Sequence, residues 1–62
     1  MLVKFEFYRD RRWWGAQAVG HAIFTQGRSF AELRNNIREA AHLHFGHRTG
    51  LRMTRARELS HL

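Results

Sequence analysis

The apolar residues of this chain change their spacing once, near Ser29, and that change sets the class of fold. Before it they recur at every second position. Val3, Phe5 and Phe7 share one side of an extended segment, and Lys4 and Glu6 share the other. After it Phe30, Leu33, Ile37, Ala40, Ala41 and His44 recur at steps of three and four, which is one face of a helix of about four turns. At the junction, Ser29-Phe30-Ala31-Glu32 has the form of a capping box. The Ser29 hydroxyl accepts from the Glu32 amide, and the Glu32 carboxylate reaches back to the Ser29 amide. Strands followed by a separate helix predict an α+β domain.

The extended half divides at its polar and glycine positions. A first strand covers residues 2–9 and ends at Arg9-Asp10-Arg11-Arg12, where Asp suits a hairpin turn. Trp13 to Val19 resumes the alternation, with Trp14, Ala16 and Ala18 on one face and Trp13, Gly15, Gln17 and Val19 on the other. Gly20 permits a tight turn, and His21 to Gln26 reads as a third strand with Ala22 and Phe24 facing away from His21, Ile23 and Thr25. The short links predict an antiparallel meander. The helix runs from Ser29 to about Phe45, and Gly46 stops it in the left-handed conformation. Leu51 to Glu58 is a fourth strand in which Leu51 and Met53 share a face and the alternation breaks at Arg55 and Arg57. The expected architecture is an antiparallel three- to four-stranded sheet with one helix packed on one face, in the order β-β-β-α-β. Its expected core is Val3, Phe5, Phe7, Trp14, Ala16, Phe24, Leu33, Ile37 and Ala41.

Sixty-two residues allow one domain, with residues 1–45 as its core unit and 46–62 as a loop, the fourth strand and a tail. A chain of this size buries only about 60% of its unfolded surface. Small domains add disulfides, a metal or self-association. There is no cysteine, which removes disulfides and thiolate metal sites and fits a reducing compartment. Self-association is therefore expected, as a homodimer or higher assembly. The uncharged stretch from Trp13 to Gln26 is too short for a membrane span, and Met1 leads into Leu2-Val3-Lys4-Phe5 without the basic and apolar regions of a signal peptide. The expectation is a cytoplasmic protein with no membrane partner.

The run Trp13-Trp14-Gly15-Ala16, then Gly20-His21-Ala22-Ile23-Phe24-Thr25-Gln26-Gly27, then Ser29-Phe30-Ala31-Glu32-Leu33-Arg34-Asn35-Asn36-Ile37-Arg38-Glu39-Ala40, resembles the HicB-like antitoxin family. The resemblance spans about residues 2–45 and rests mainly on Phe24-Thr25-Gln26-Gly27 followed by the capped helix. It implies a partial ribonuclease-H-like unit of three or four strands with a helix on one face. It also implies binding to a small RNA-cleaving toxin. Complete antitoxins of this type carry a separate DNA-binding domain. The seventeen residues after Phe45 are too few for one, so the expectation is a stand-alone N-terminal-type domain.

Three readings of function follow. The first is a non-enzymatic protein-binding module that forms homo-oligomers and takes a small toxin-like partner. Adjacent Trp13 and Trp14 must face opposite sides of a strand, so the outward one, Trp13, with Tyr8 and Ile23, is the expected protein interface. The second is nucleic-acid binding. The net charge is +6, with eleven basic residues against five acids, and all but Lys4 of the eleven are arginine. Arg9, Arg11 and Arg12 near the first turn and Arg52, Arg55 and Arg57, with Arg48, near the end are the expected contacts. The third is a ribonuclease using His21 as a base, with Glu6 and Asp10 as candidates for its acid partner or orienting carboxylate; a structural role for His21 is favoured and no catalytic residue is expected. No cofactor is expected either. His42 and His44 point about 200° apart on a helix and lack the i, i+4 spacing of a zinc pair, while His47 lies past the helix end.

Overall fold

The computed structural model describes residues 1–56. Four strands and one helix follow in the order β1 (Leu2–Asp10), β2 (Trp13–Ala18), β3 (Phe24–Gly27), α1 (Phe30–Phe45) and β4 (Gly50–Arg55). The strands lie side by side as β3-β2-β1-β4. β1, β2 and β3 form the expected antiparallel meander. β4 lies parallel to β1, so the sheet is mixed and not wholly antiparallel. The helix accounts for this difference. It carries the chain from the end of the sheet where β3 finishes back to the end where β1 starts, and β4 must then run in the direction of β1. The strand begins at Gly50, and Arg57 and Glu58 of the predicted fourth strand lie outside the described residues.

The register defines the two faces. Phe5 lies opposite Ala18, and Phe7 lies opposite Ala16. Val3 lies opposite Leu51, and Phe5 also opposite Met53. These residues face the helix, which meets them with Leu33, Ile37 and Ala41. Val3, Phe5, Ala16, Ala18, Leu33, Ile37 and Ala41 are buried, and Phe7, Trp14, Ile23, Phe45, Leu51 and Met53 pack around them. The alanines of β2 let the helix approach the sheet. Gly27 allows an even closer approach, because a Cβ there would sit 2.7 Å from the backbone nitrogen of Leu33.

The helix start follows the cap logic with one shift. Ser29 Oγ accepts from the Glu32 amide at 3.0 Å, whereas the Glu32 carboxylate accepts from the Arg28 amide, one residue earlier than expected. At the other end Gly46 donates its amide to the His42 carbonyl at 2.9 Å. Its φ of 98° and ψ of 163° lie in an extended positive-φ region essentially reserved for glycine, and not in the left-handed helical region. Asn36 ties the helix to β3 by donating from Nδ2 to the Gln26 carbonyl at 2.8 Å. His44, expected on the apolar face, is exposed.

β3 departs most from the sequence pattern. It starts at Phe24 and not at His21, and its faces are exchanged. Gly27 lies opposite Trp14 and Thr25 opposite Ala16, so odd-numbered residues face the helix. Ile23 joins the core margin, and Phe24 is 56% exposed on the far face. The close contact of Gly27 with the helix fixes this register, and a one-residue shift would exchange every side chain.

Candidate functional site

Two surfaces come out of this arrangement. The first is the outer face of the sheet, opposite the helix. Alternation places Leu2, Lys4, Glu6 and Tyr8 of β1 there, with Trp13, Gly15 and Gln17 of β2, Phe24 and Gln26 of β3, and Arg52 and Thr54 of β4. Val19 continues the β2 row and donates its amide to the Lys4 carbonyl at 2.8 Å. Leu2, Tyr8, Trp13, Val19 and Phe24 are all exposed. The Tyr8 ring lies across Gly15, where any side chain would collide with it at 2.6 Å. Trp13 is 41% exposed, with the Arg28 guanidinium 5.6 Å from its ring centre. A shallow hollow beside it is lined by Arg12, Trp13 and Arg28.

The expected interface residues Tyr8 and Trp13 are thus on one exposed face. Ile23 is not with them. It packs on the helix side because the β3 register is shifted, and the apolar residue that β3 gives to the outer face is Phe24. Alternation, with Ala22 and Phe24 set against His21, Ile23 and Thr25, placed Phe24 in the core. The signal that would have corrected this is the spacing from Gly27, which must face the helix.

The second surface is one end of the domain, where β1, β3 and β4 finish and the helix begins. Arg9, Arg11 and Arg12 occupy the β1–β2 hairpin, with Asp10 opposite Trp13 across a two-residue turn. Arg28 follows β3, and Arg55 ends β4 beside Phe7. Beneath them is a cluster of rings on the helix side. Phe30 stands edge-to-face with Phe7 and Trp14 at 5.3 and 5.2 Å between centroids. The Arg9 guanidinium lies over Trp14 at 5.1 Å, and that of Arg55 over Phe7 at 5.7 Å, both within cation–π range. The two predicted arginine groups therefore converge in part. Arg55 joins the hairpin end, whereas Arg52 lies on the outer face next to Lys4, and Arg57 lies outside the described residues. Arg28 belongs to this end and was not singled out from the sequence.

The histidines gather at the opposite end. His21 is in the β2–β3 loop and not in a strand, and its ring meets that of Phe45 edge-to-face at 4.8 Å between centroids. Neither Glu6, on the outer face, nor Asp10, in the far hairpin, is brought to it. His42 and His47 lie 5.2 Å apart between ring centres, near the helix C-terminus, whose dipole favours cations. Among the described residues no group of three or more His, Cys, Asp or Glu could hold a metal ion. No helix among them is long and apolar enough to cross a membrane.

What the residues define is an α+β domain with an uncovered sheet face that carries exposed apolar side chains, and an arginine-rich end. Comparison with protein-family models, curated proteins and solved structures finds no match to this chain.

Proposed function

We propose that this protein is a non-enzymatic binding module of the HicB-like antitoxin type that self-associates through the outer face of its sheet. The exposed set Leu2, Tyr8, Trp13, Val19 and Phe24 carries the reading, because the helix covers only the other face. Exposed apolar side chains gathered on one face of a small domain, with polar residues among them, support an interaction site there. Its charges favour a second copy over an unrelated partner. Lys4 and Arg52 are direct neighbours across β1 and β4, and Glu6 is the next outward residue of β1. Like charges side by side on one face repel. In a twofold contact each patch meets its own copy, so Glu6 of one chain can approach Lys4 and Arg52 of the other and the reverse. The resemblance of residues 2–45 to HicB-like antitoxins supports the module type and a small toxin-like protein as a further partner.

Sedimentation equilibrium at micromolar concentration tests the reading. The expected mass is at least that of a dimer. Phe24→Ser and Trp13→Ala, at exposed positions, shift it toward the monomer. A one-chain mass for the unmodified protein overturns self-association. Incubation with single- and double-stranded RNA tests the absence of catalysis. Cleavage that disappears in His21→Ala overturns it.

A further inference from the structure

At the arginine-rich end of the domain we infer a binding site for single-stranded nucleic acid centred on Arg9, Arg55 and Phe30, on the helix side of the sheet and opposite the proposed self-association face. Of the nine arginines among the described residues, five stand at the end where the helix begins: Arg9 and Arg55 on the helix side, Arg11 in the turn, and Arg12 and Arg28 bordering Trp13. Among the described residues, the acids placed with them are Asp10 in the hairpin and Glu32, whose carboxylate accepts from the Arg28 amide.

The geometry of two of these arginines is specific. The guanidinium carbons of Arg9 and Arg55 lie 5.1 and 5.7 Å from the centres of the Trp14 and Phe7 rings, which hold them on the helix side. Arg9 spends its Nε proton on the Arg11 carbonyl at 3.3 Å, leaving both terminal nitrogens as a forked donor pair. That fork matches two oxygens of a phosphate. The register sets Arg55 opposite Phe7, so Arg9 is two residues further along the same face of β1. With strands about 4.8 Å apart and a rise of about 3.3 Å per residue, their Cα atoms are roughly 8 Å apart. Two anions on one backbone can therefore be held together. Beside the Phe7 and Trp14 rings, Phe30, 36% exposed, stands in T-shaped contact with both.

Arginine forks beside an open aromatic ring select the ligand class. A single strand offers phosphates and unpaired bases whose π-faces can stack. A duplex keeps its bases stacked inside, and an acidic peptide has carboxylates but nothing to lay on the ring. The amides at the start of α1 and the macrodipole add positive potential at the same place.

The test is fluorescence anisotropy with a labelled oligouridylate of about 12 nucleotides across a salt series. Expected is binding at low salt that falls steeply as salt rises. Arg9→Ala and Arg55→Ala should each weaken it about five-fold or more and reduce the log–log salt slope by about 0.7, the loss of one phosphate contact. Phe30→Leu should weaken it with the slope unchanged. Arg48→Ala removes the same charge from the opposite end and should leave binding intact. If Arg9→Ala does not fold by circular dichroism, Arg9→Lys replaces it, and the expected result is weaker binding at an unchanged slope. Equal losses in Arg48→Ala and Arg9→Ala overturn the site, as does an absence of binding at low salt. A duplex or a polyglutamate peptide that competes as well as the unlabelled single strand overturns the ligand class. Because none of the substituted residues faces outward from the sheet, sedimentation of the same variants shows separately whether self-association stands.

Discussion

Gly27→Ala tests the contact that fixes both the β3 register and the position of the helix. In an ordinary strand the change should help, since alanine has less freedom to lose than glycine, by roughly 0.5–1 kcal/mol. Here the new methyl would lie 2.7 Å from Leu33 N, 3.0 Å from Leu33 Cα and 3.1 Å from the Glu32 carbonyl carbon. All three are helix backbone atoms, so no side-chain rotation relieves the clash. To reach ordinary carbon contact of about 3.5 Å or more, the first turns of the helix must retreat by somewhat under 1 Å. That movement loosens Leu33 and Ile37, both fully buried, and disturbs the 2.9 Å bond from the Leu33 amide to the Ser29 carbonyl. Overpacking of this type costs about 1–3 kcal/mol, and the rigid partners put it near the top. Subtracting the gain in the unfolded chain leaves a net loss of about 2 kcal/mol. A domain of this size loses roughly 4–8 °C in Tm per kcal/mol, so the melt should fall by roughly 8–16 °C. Thermal circular dichroism reads this directly. A melting point equal to or above that of the parent would refute the close approach of helix to β3, and with it the assignment of Phe24 to the outer face.

Three further outcomes are expected. Ser29→Ala removes the acceptor of the Glu32 amide and should cost about 1 kcal/mol in urea unfolding; a null effect would show that the cap contributes nothing. Ile37→Ala empties a fully buried position and should cost on the order of 2–5 kcal/mol, enough to leave much of the chain unfolded at 37 °C, and an unchanged melt would remove Ile37 from the core. Arg11 sits at φ 48° in the left-handed region, so Arg11→Gly should relieve about 1 kcal/mol of backbone strain while weakening oligouridylate binding, and a lowered melting point would reject the strain.

The parts of the fold that were legible in the sequence are those set by neighbouring residues. The helix and its Ser29 cap depend on contacts within four residues. The first hairpin follows from a polar break between two alternating runs. The parts that were not legible depend on distant segments. Whether β4 runs with or against β1 is decided by where α1 delivers the chain, and no local pattern encodes that. Alternation in β3 is equally consistent with Ile23 or Phe24 inward, and the choice is made by Gly27 against Leu33. For the candidate surfaces the same division holds. Tyr8 and Trp13 were placed by alternation alone. Arg52 and Arg55 differ in face only once the β1–β4 register is known, and Arg28 joins the others only because Gly27 pairs with Trp14.

The parallel pairing of β1 with β4 also dictates an order of events during synthesis. Each pair in that ladder joins residues about 48 positions apart, and such distant contacts are the slow ones in folding. The meander and the helix can assemble as they leave the ribosome, since each pairs with what precedes it. β1, made first, keeps one flank of amides and carbonyls open until Gly50–Arg55 emerges. An open strand flank of this kind recruits strands from other chains. The domain therefore stays open to such pairing until β4 has been made, and β4 closes that window.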